Sequence, residues 1–276
     1  QVRNYLDFSD AYFDEDSYLA SVNVAHNLAS LYFRAFDEPF VEEIKSYAVN
    51  YFRKILSNLG WEPKKSDKHT DALLRTFTIA VLGKMNDDSV TVEAIKKYHK
   101  FLKSPSSLSP DLIETICSIA AWNGNSKTFA ELKKLYTNAK TMEEKLRFLG
   151  AMCGFQDKKL LVRTLNFSQT SEVRSQNMQL PIMKVAGNPY GEKVLWPWLK
   201  KNWKNINKKV GHGNPLFNRI VASIAGVADD SMENEIKLFF KNNPTPGTER
   251  TQSQTLERIR INSKFLRTMR KEFKNG

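Results

Sequence analysis

Residues 174–203 have apolar side chains at the three- and four-residue spacing of two amphipathic helices. Between them, Gly187 is predicted to end the first helix in a left-handed cap, and Pro189 suits the first turn of the second. The second helix carries three large packing anchors whose indole N–H groups need acceptors, Trp196, Trp198 and Trp203. The stretch predicts one helical hairpin of a larger stack. A direct ligand-binding role for the tryptophans is the alternative.

The same periodicity continues along the chain, and no stretch alternates convincingly like a strand. Helices are predicted at 18–36, 41–59, 71–85, 90–102, 111–122, 129–139, 142–153, 158–167, 173–186, 192–203, 216–227, 232–242 and 251–274. Helices of this length with short connections leave room for about 14–16 in all. Because short connections force successive helices to run antiparallel, we predict an all-α fold in which helical hairpins stack into an α-α superhelix.

Local signals fix several helix boundaries. Residues 86–88, Asn-Asp-Asp, supply candidate N-caps, and Thr141 with Glu144 three residues later forms a predicted capping box. Gly60 is predicted to end the helix 41–59. Residues 7–16 form an acidic, aromatic start, DFSDAYFDED, and the first helix with predicted bounds is 18–36.

Composition limits where the chain can act. It has 276 residues and no run of 18 apolar residues, so no membrane span is predicted. It begins at Gln1 without a signal-peptide pattern, and we expect it to be a piece of a longer polypeptide. Cys117 and Cys153 lie in apolar helical contexts and are predicted to be buried free thiols in a reducing compartment, which favours the cytoplasm.

The net charge of +12, from 42 basic and 30 acidic residues, raises the question of a nucleic acid or an acidic partner. The excess is concentrated at 200–209 and 250–274. Most of these residues are lysines spread over helix faces, and no nucleic-acid-binding motif accompanies them. A solvated basic face is therefore favoured, and nucleic acid is an unlikely partner.

The sequence shows no catalytic constellation. It contains no HExxH, no GxSxG and no phosphate-binding loop, and its two cysteines and four histidines have no familiar zinc spacing. Acidic pairs at 143–144 and 229–230 lie at helix starts, where they complement the helix dipole. His69 precedes a helix and could cap it or titrate, but a structural role is favoured. We predict no catalytic residue and no metal ligand, which favours binding over catalysis.

Short motifs follow one another in an order typical of one family. They are LGW at 59–61, His69 with LR at 74–75, FLG at 148–150, FQD at 155–157, VRSQ at 173–176, NPYG at 188–191 followed by Trp196, Trp198, Asn202 and Trp203, FF at 239–240, and LERIRIN at 256–262. On these motifs the chain resembles the C-terminal helical domain of zinc aminopeptidases related to aminopeptidase N. The resemblance is strongest to the puromycin-sensitive, antigen-trimming and archaeal tricorn-interacting branch.

The resemblance implies a single C-terminal domain over 1–276: an all-helical bowl of paired, HEAT- or armadillo-like helices. Such a domain closes over a zinc-binding catalytic domain and helps enclose peptide substrates. It implies that the zinc and the general base belong to an upstream domain absent from this chain. The chain itself is then expected to bind no cofactor. Its expected partners are that upstream domain and peptides.

Departures from the family pattern limit what can be transferred. Asn177, Glu192 and Phe265 replace a common Asp, a common basic residue and a common Trp. Antigen-trimming members have arginines that hold the far end of the peptide where this chain has Gly154 and Gly187. The residues that contact peptide therefore stay unknown.

The remaining motif residues are predicted to be structural. Arg174 and Gln176 are expected to bond neighbouring helix ends, and Asn188 and Gly191 to shape the corner. A further group completes the predicted structural set: Trp61, Trp196, Trp203, Glu257 and Asn262. Glu257 and Asn262 are expected to lock the last helix to the one before it. The alternative function is a stand-alone helical-repeat module that binds a protein or nucleic acid through a basic face.

Overall fold

A computed structural model of the chain describes residues 2–12, 18–211 and 214–274. These ranges contain fourteen α-helices and no strand. The helices are α1 Val2–Ala11, α2 Tyr18–Arg34, α3 Val41–Leu59, α4 His69–Lys84, α5 Asp88–Lys103, α6 Pro110–Trp122, α7 Ser126–Asn138, α8 Met142–Ala151, α9 Lys158–Ser168, α10 Gln179–Ala186, α11 Glu192–Val210, α12 Pro215–Ser223, α13 Glu233–Asn242 and α14 Glu249–Lys274. The prediction of an all-α helical-repeat fold is confirmed.

The chain forms two compact units. Unit 1 comprises Gln1–Ala120 with Leu266–Gly276, and unit 2 comprises Ala121–Phe265. Unit 1 therefore includes both ends of the chain, whereas unit 2 is one continuous segment. The assignment of 1–276 to a single domain stays a prediction.

Several predicted boundaries agree with the structure. Helix α3 has the predicted bounds and ends at Gly60, whose φ of 68° lies in the left-handed region. The capping box before α8 is present, with the Glu144 N–H donating to Thr141 Oγ1 at 3.1 Å and the Thr141 N–H donating to Glu144 Oε2 at 3.1 Å. Asp87 caps α5 by accepting from the Val90 N–H at 3.0 Å.

The predicted helix 173–186 is wrong in its first turn. A 3-10 turn, Ser175–Asn177, precedes α10, which begins only at Gln179. Pro181 explains the late start, because it has no N–H to donate and is best accommodated in the first turn of a helix, where α10 places it. The predicted left-handed cap at Gly187 is also wrong: its φ is −91°, and its N–H bonds carbonyls of the preceding turn.

Two other helices are longer or earlier than predicted. Helix α11 continues past 203 to Val210, because Ile206 and Val210 extend the buried face. Helix α1 occupies part of the acidic start and buries Val2 and Leu6. The rest of that acidic start, 13–16, lies outside the described residues, as do His212 and Gly213 of the predicted glycine corner.

In unit 1, charged side chains bind helix ends. Helix α3 packs against α2 and α4, and α1 packs against α3. Arg75 of α4 is only 1% exposed, and it donates to the carbonyls of Leu59 and Gly60 at 3.1 and 3.0 Å. Its guanidinium also bonds Asp67 at 2.5 Å. The motif residues at 59–60 and 75 are thus joined by one buried guanidinium that closes the end of α3.

The end of α14 completes unit 1. The Glu272 carboxylate accepts from the Val2 and Arg3 N–H groups at 3.0 and 2.9 Å, which caps the first turn of α1. Phe273 stacks on Phe40 with ring centroids 4.4 Å apart and planes 5° apart. The last turns of the chain therefore hold its first helix.

In unit 2, aromatic rings and amide side chains hold the helices together. Trp203 is 1% exposed, and its indole makes edge-on contacts with three phenylalanine rings, Phe217, Phe239 and Phe240, at 5.2, 5.2 and 5.6 Å between centroids. Helix α10 packs against α8, α9 and α12, and α11 packs against α9. This core fixes the position of the corner between α10 and α11.

Candidate functional site

The corner between α10 and α11 is held by one buried amide. Asn188 is 4% exposed, and its Nδ2 donates to the carbonyls of Cys153 and Phe155, both at 2.9 Å. Its Oδ1 accepts from the Tyr190 N–H at 3.0 Å. Both amide protons and the amide oxygen therefore have partners. Asn188 thereby ties the end of α8 to the 3-10 turn Pro189–Gly191 that opens α11.

Gly191 is required at this corner because two stretches of backbone meet there. A Cβ at position 191 would lie 1.9 Å from the Val185 carbonyl oxygen, a separation that no side chain tolerates. The backbone of α11 can begin beside α10 only when residue 191 has no side chain.

The same geometry brings together Gly154 and Gly187, the two positions at which the resemblance implies arginines in antigen-trimming members. Gly154 lies between the two carbonyls that Asn188 binds, and Gly187 directly precedes Asn188. Gly154 is buried, whereas Gly187 is exposed. A Cβ at position 187 would meet nothing nearer than the Lys184 carbonyl oxygen at 3.7 Å. Position 187 therefore has room for a side chain that points to solvent.

Each tryptophan of α11 is buried, and two of the three indoles have the acceptors that the sequence led us to expect. Trp198 Nε1 donates to Asn166 Oδ1 at 2.8 Å, and Trp196 Nε1 donates to Glu235 Oε1 at 3.1 Å. Trp203 Nε1 has no hydrogen-bond partner among the described residues. The indoles lie inside unit 2, which is the packing role rather than the ligand-binding alternative.

Glu235 also receives the ammonium of Lys200. The hydrogen bond from Lys200 lowers the pKa of the Glu235 carboxyl, burial opposes this, and the bond from Trp196 lowers it further. The carboxylate thus stays ionised and links α13 to two positions of α11.

The other predicted structural residues are dispersed. Trp61 is half-buried in unit 1, with the Lys97 ammonium 5.6 Å from its ring centroid. Arg174 and Gln176 are exposed. Within the described ranges their side chains form no hydrogen bond, and each residue accepts one only through its backbone carbonyl. Their predicted side-chain bonds to helix ends are therefore not formed in this structure.

The predicted lock at the last helix involves different residues. Asn262 Nδ2 donates to the Ala225 carbonyl at 3.2 Å, so it reaches the 3-10 turn after α12 rather than α13. Glu257 is exposed, and its charge acts on Arg260 of its own helix. Arg260 forms the link to α13, with Nε–Oε2 and Nη2–Oε1 distances of 2.7 and 2.5 Å to Glu233. The hydrogen bonds from Arg260 and then Lys237 lower the pKa of Glu233 to about 2.

The three residues that depart from the family pattern, Asn177, Glu192 and Phe265, have only local effects. Asn177 Nδ2 lies 3.1 Å from Met142 Sδ. Glu192 is exposed in the first turn of α11, where its charge suits the helix dipole. Phe265 is 38% exposed. None of these substitutions alters the corner around Asn188.

The possible metal ligands of the described ranges are dispersed. Across 2–12, 18–211 and 214–274, no group of three or more His, Cys, Asp or Glu side chains is placed to hold a metal ion. Zinc therefore does not fit these residues. Cys117 and Cys153 are buried and form no disulfide, and burial raises the pKa of Cys117. Among the described helices, none is long and apolar enough to cross a membrane.

The hydrogen-bonded pairs that the sequence did not predict join residues far apart in the chain. Glu235 is 39 residues from Trp196, and Glu233 is 27 residues from Arg260. Their sequence neighbourhoods are ordinary amphipathic helices, so only the acidic first turn of α13 could have drawn attention to them.

Comparison with known proteins accounts for this architecture. A family profile described as "ERAP1-like C-terminal domain" matches residues 1–261. The chain is 29% identical to Aminopeptidase M1-D of Oryza sativa subsp. japonica, covering 94% of this chain and 30% of the relative. It is 27% identical to Aminopeptidase M1 of Arabidopsis thaliana (86% and 27%) and 24% identical to "Aminopeptidase 2, mitochondrial" of Saccharomyces cerevisiae (95% and 28%). The chain thus spans less than a third of each relative. The predicted resemblance is confirmed, and the chain belongs to the ERAP1-like C-terminal domain family of M1 aminopeptidases.

Proposed function

We propose that this chain is the noncatalytic C-terminal domain of a zinc aminopeptidase, and that it encloses the active-site cavity and binds peptide substrates. Its partners are then the upstream catalytic domain, which supplies zinc and the general base, and the peptide itself. The absence of a disulfide at the buried residues Cys117 and Cys153 supports placing it in the cytoplasm.

The observation that carries the proposal is the corner around Asn188. Every polar atom of that side chain bonds the backbone of one of two segments, which holds the corner in place. Beside this corner lie three exposed positions, Met183, Lys184 and Gly187. A fixed backbone flanked by exposed apolar and cationic side chains suits contact with a peptide chain rather than chemistry on it.

The first experiment separates binding from catalysis. The isolated chain is incubated with zinc and an aminoacyl reporter, and release of the reporter group is followed. We expect no hydrolysis above the buffer rate. Hydrolysis that rises with chain concentration and disappears with a chelator would refute the noncatalytic assignment.

The second experiment tests substrate contact in the full parent enzyme. Gly187→Arg places a guanidinium at an exposed position with a permissive backbone. If the corner faces peptide, the KM for peptides with a free terminal carboxylate falls by about 5–10-fold, while amidated peptides change by less than about twofold. Gly187→Gln, which adds a long side chain without charge, is the matched control. Equal changes for both peptides would show that the corner does not meet the peptide end.

A further inference from the structure

The exposed side of α11 carries a row of lysines. Lys193, Lys201, Lys204 and Lys208 recur at three-, four- and eight-residue intervals, and all four are exposed. These intervals keep the four residues within roughly a quarter of the helix circumference over about 22 Å of its length. We call this row the lysine stripe.

The positive charges of the lysine stripe are not paired with carboxylates of the described residues. Within the described residues, its four ammonium groups form no hydrogen bond or ion pair. Neighbouring lysines of the same helix behave differently, because Lys200 pairs with Glu235 and Lys209 donates to the Gln169 carbonyl. Like charges at i, i+3 and i, i+4 repel along a helix, so the stripe is not explained by the stability of α11.

The net charge of the chain lies in the unit that carries the stripe. Unit 2 has 24 basic and 12 acidic residues, whereas unit 1 has 18 of each. Unit 2 alone therefore accounts for the net charge of +12, and this charge attracts anions to the unit that carries the stripe.

We propose that the lysine stripe binds an extended acidic polypeptide segment. In an extended segment, side chains on one face recur about every 6.6 Å, close to the rise of about 6 Å over four helical residues. A segment of about seven residues with alternating carboxylates spans the stripe. The rises from Lys193 to Lys201, Lys204 and Lys208 are about 12, 16.5 and 22.5 Å, so the carboxylates follow the row as a whole and are not matched one to one with the ammonium groups. This proposal is independent of the proposed enzymatic role.

Two other classes of anion fit less well. Single-stranded nucleic acid is bound with aromatic stacking platforms, and the three tryptophans of α11 are all buried on other faces. Planar phosphate recognition also favours arginine, and the stripe contains none. Helices that lie in a membrane surface insert an apolar face, and the apolar face of α11 is buried inside unit 2.

The test uses the whole 276-residue chain and a fluorescent seven-residue peptide with four alternating glutamates. Anisotropy titrations at low and at physiological salt give the Kd. The stripe variant combines Lys193→Gln, Lys201→Gln, Lys204→Gln and Lys208→Gln. The matched control combines four exposed lysines elsewhere in unit 2, Lys127→Gln, Lys134→Gln, Lys140→Gln and Lys159→Gln. Each variant removes four positive charges. Glutamine has a similar helix propensity, so both should melt as the parent chain does.

We expect the stripe variant to weaken peptide binding at least ~10-fold and the control variant less than ~3-fold. A Lys→Arg version of the stripe keeps the charge and should bind within ~3-fold of the parent chain. Equal losses in the stripe and control variants would overturn the proposal, because binding would then reflect total charge. Tighter binding of an oligouridylate or of phosphatidylserine vesicles, lost in the stripe variant alone, would overturn it by assigning the surface to nucleic acid or membrane.

Discussion

The two units are stabilised by different chemistry. In unit 1, ion pairs close the structure: Arg75 bonds Asp67, Arg53 bonds Asp87 at 2.6 Å, and Arg270 bonds Glu38 at 2.9 and 2.6 Å. Its basic and acidic residues are equal in number, 18 of each. In unit 2, the edge-on rings around Trp203 and the amide of Asn188 hold the elements together.

This contrast shows which charges the fold needs. In unit 1 the number of cations equals the number of carboxylates, and several of its cations form ion pairs within the unit. Unit 2 has twice as many basic as acidic residues, 24 against 12, and its contacts around Trp203 and Asn188 use uncharged groups, beside the ion pairs of Glu233 and Glu235. The basic excess of unit 2 is therefore available at the surface, where it can serve binding rather than folding.

The largest expected effect is in unit 2, from Gly191→Ala. The added Cβ would lie 1.9 Å from the Val185 carbonyl oxygen, so backbone must move. We expect a loss of at least about 3 kcal/mol in the free energy of unfolding. Urea denaturation measures it. Gly187→Ala is the control, since position 187 is open and its φ is −91°, and it should change stability by less than about 1 kcal/mol. Similar midpoints for both variants would contradict the close-approach argument.

The next largest loss of stability is expected in unit 1, when its buried cation Arg75 is replaced. Arg75→Met keeps much of the side-chain volume but leaves the Leu59 and Gly60 carbonyls without their donor. We expect a loss of roughly 3 kcal/mol. Hydrogen exchange measures it locally: amides of α3 and α4 should lose protection while those of α10 and α11 keep theirs. Uniform loss across both units would show that the two units do not differ in what stabilises them.

A smaller effect is expected where the chain ends meet. Phe273→Ala removes the ring stacked on Phe40 and the face that Arg3 approaches at 5.0 Å. We expect about 2 kcal/mol, measured as faster amide exchange in α1. Phe265→Ala on the same helix is the control, because that ring is 38% exposed and should cost about half as much. Unchanged exchange in α1 would mean that the last turns do not hold it.

The smallest effect is a pH dependence in unit 2. Hydrogen bonds from Arg260 and Lys237 hold the pKa of Glu233 at about 2, below its usual value of 4.5. A lowered folded-state pKa gives stability that is complete above pH 4.5 and is lost as the pH falls towards 2. Both cations are about half exposed, so the contribution is small.

Glu233→Gln should therefore melt below the parent chain at pH 6, and the gap in Tm should narrow as the pH approaches 3. A gap that stays constant with pH would show that ionisation of Glu233 does not contribute. Because the neighbouring carboxylates are unchanged, the parent chain at the same pH values is the reference.

Sequence reasoning succeeded where the decisive interactions are local. Helix α3 ends at a glycine with positive φ, and the Thr141–Glu144 capping box closes within three residues. It failed at 173–178, where the apolar spacing continues but Pro181 delays the helix. It also failed for α1, a ten-residue helix whose cap, Glu272, comes from the other end of the chain.

The candidate site shows the same division. The motif at 188–191 lies at a corner in the structure, and the acceptors of Asn188 are backbone carbonyls 35 and 33 residues earlier. Every residue has a carbonyl, so no side-chain pattern marks these two. The partners of Trp196 and Arg260, Glu235 and Glu233, could not be predicted from the sequence either. Acidic residues are common in the first turn of any helix, so nothing distinguishes these two.

We propose that this chain binds peptide and that an upstream domain hydrolyses it. One sample tests both parts of this proposal for the isolated chain. The isolated chain is mixed with zinc and an unlabelled peptide, bound peptide is separated by size, and its mass is read by mass spectrometry. We predict that peptide is retained by the chain and recovered with its full mass. Recovery of peptide lacking its first residue, in proportion to the chain and abolished by a chelator, would contradict the account.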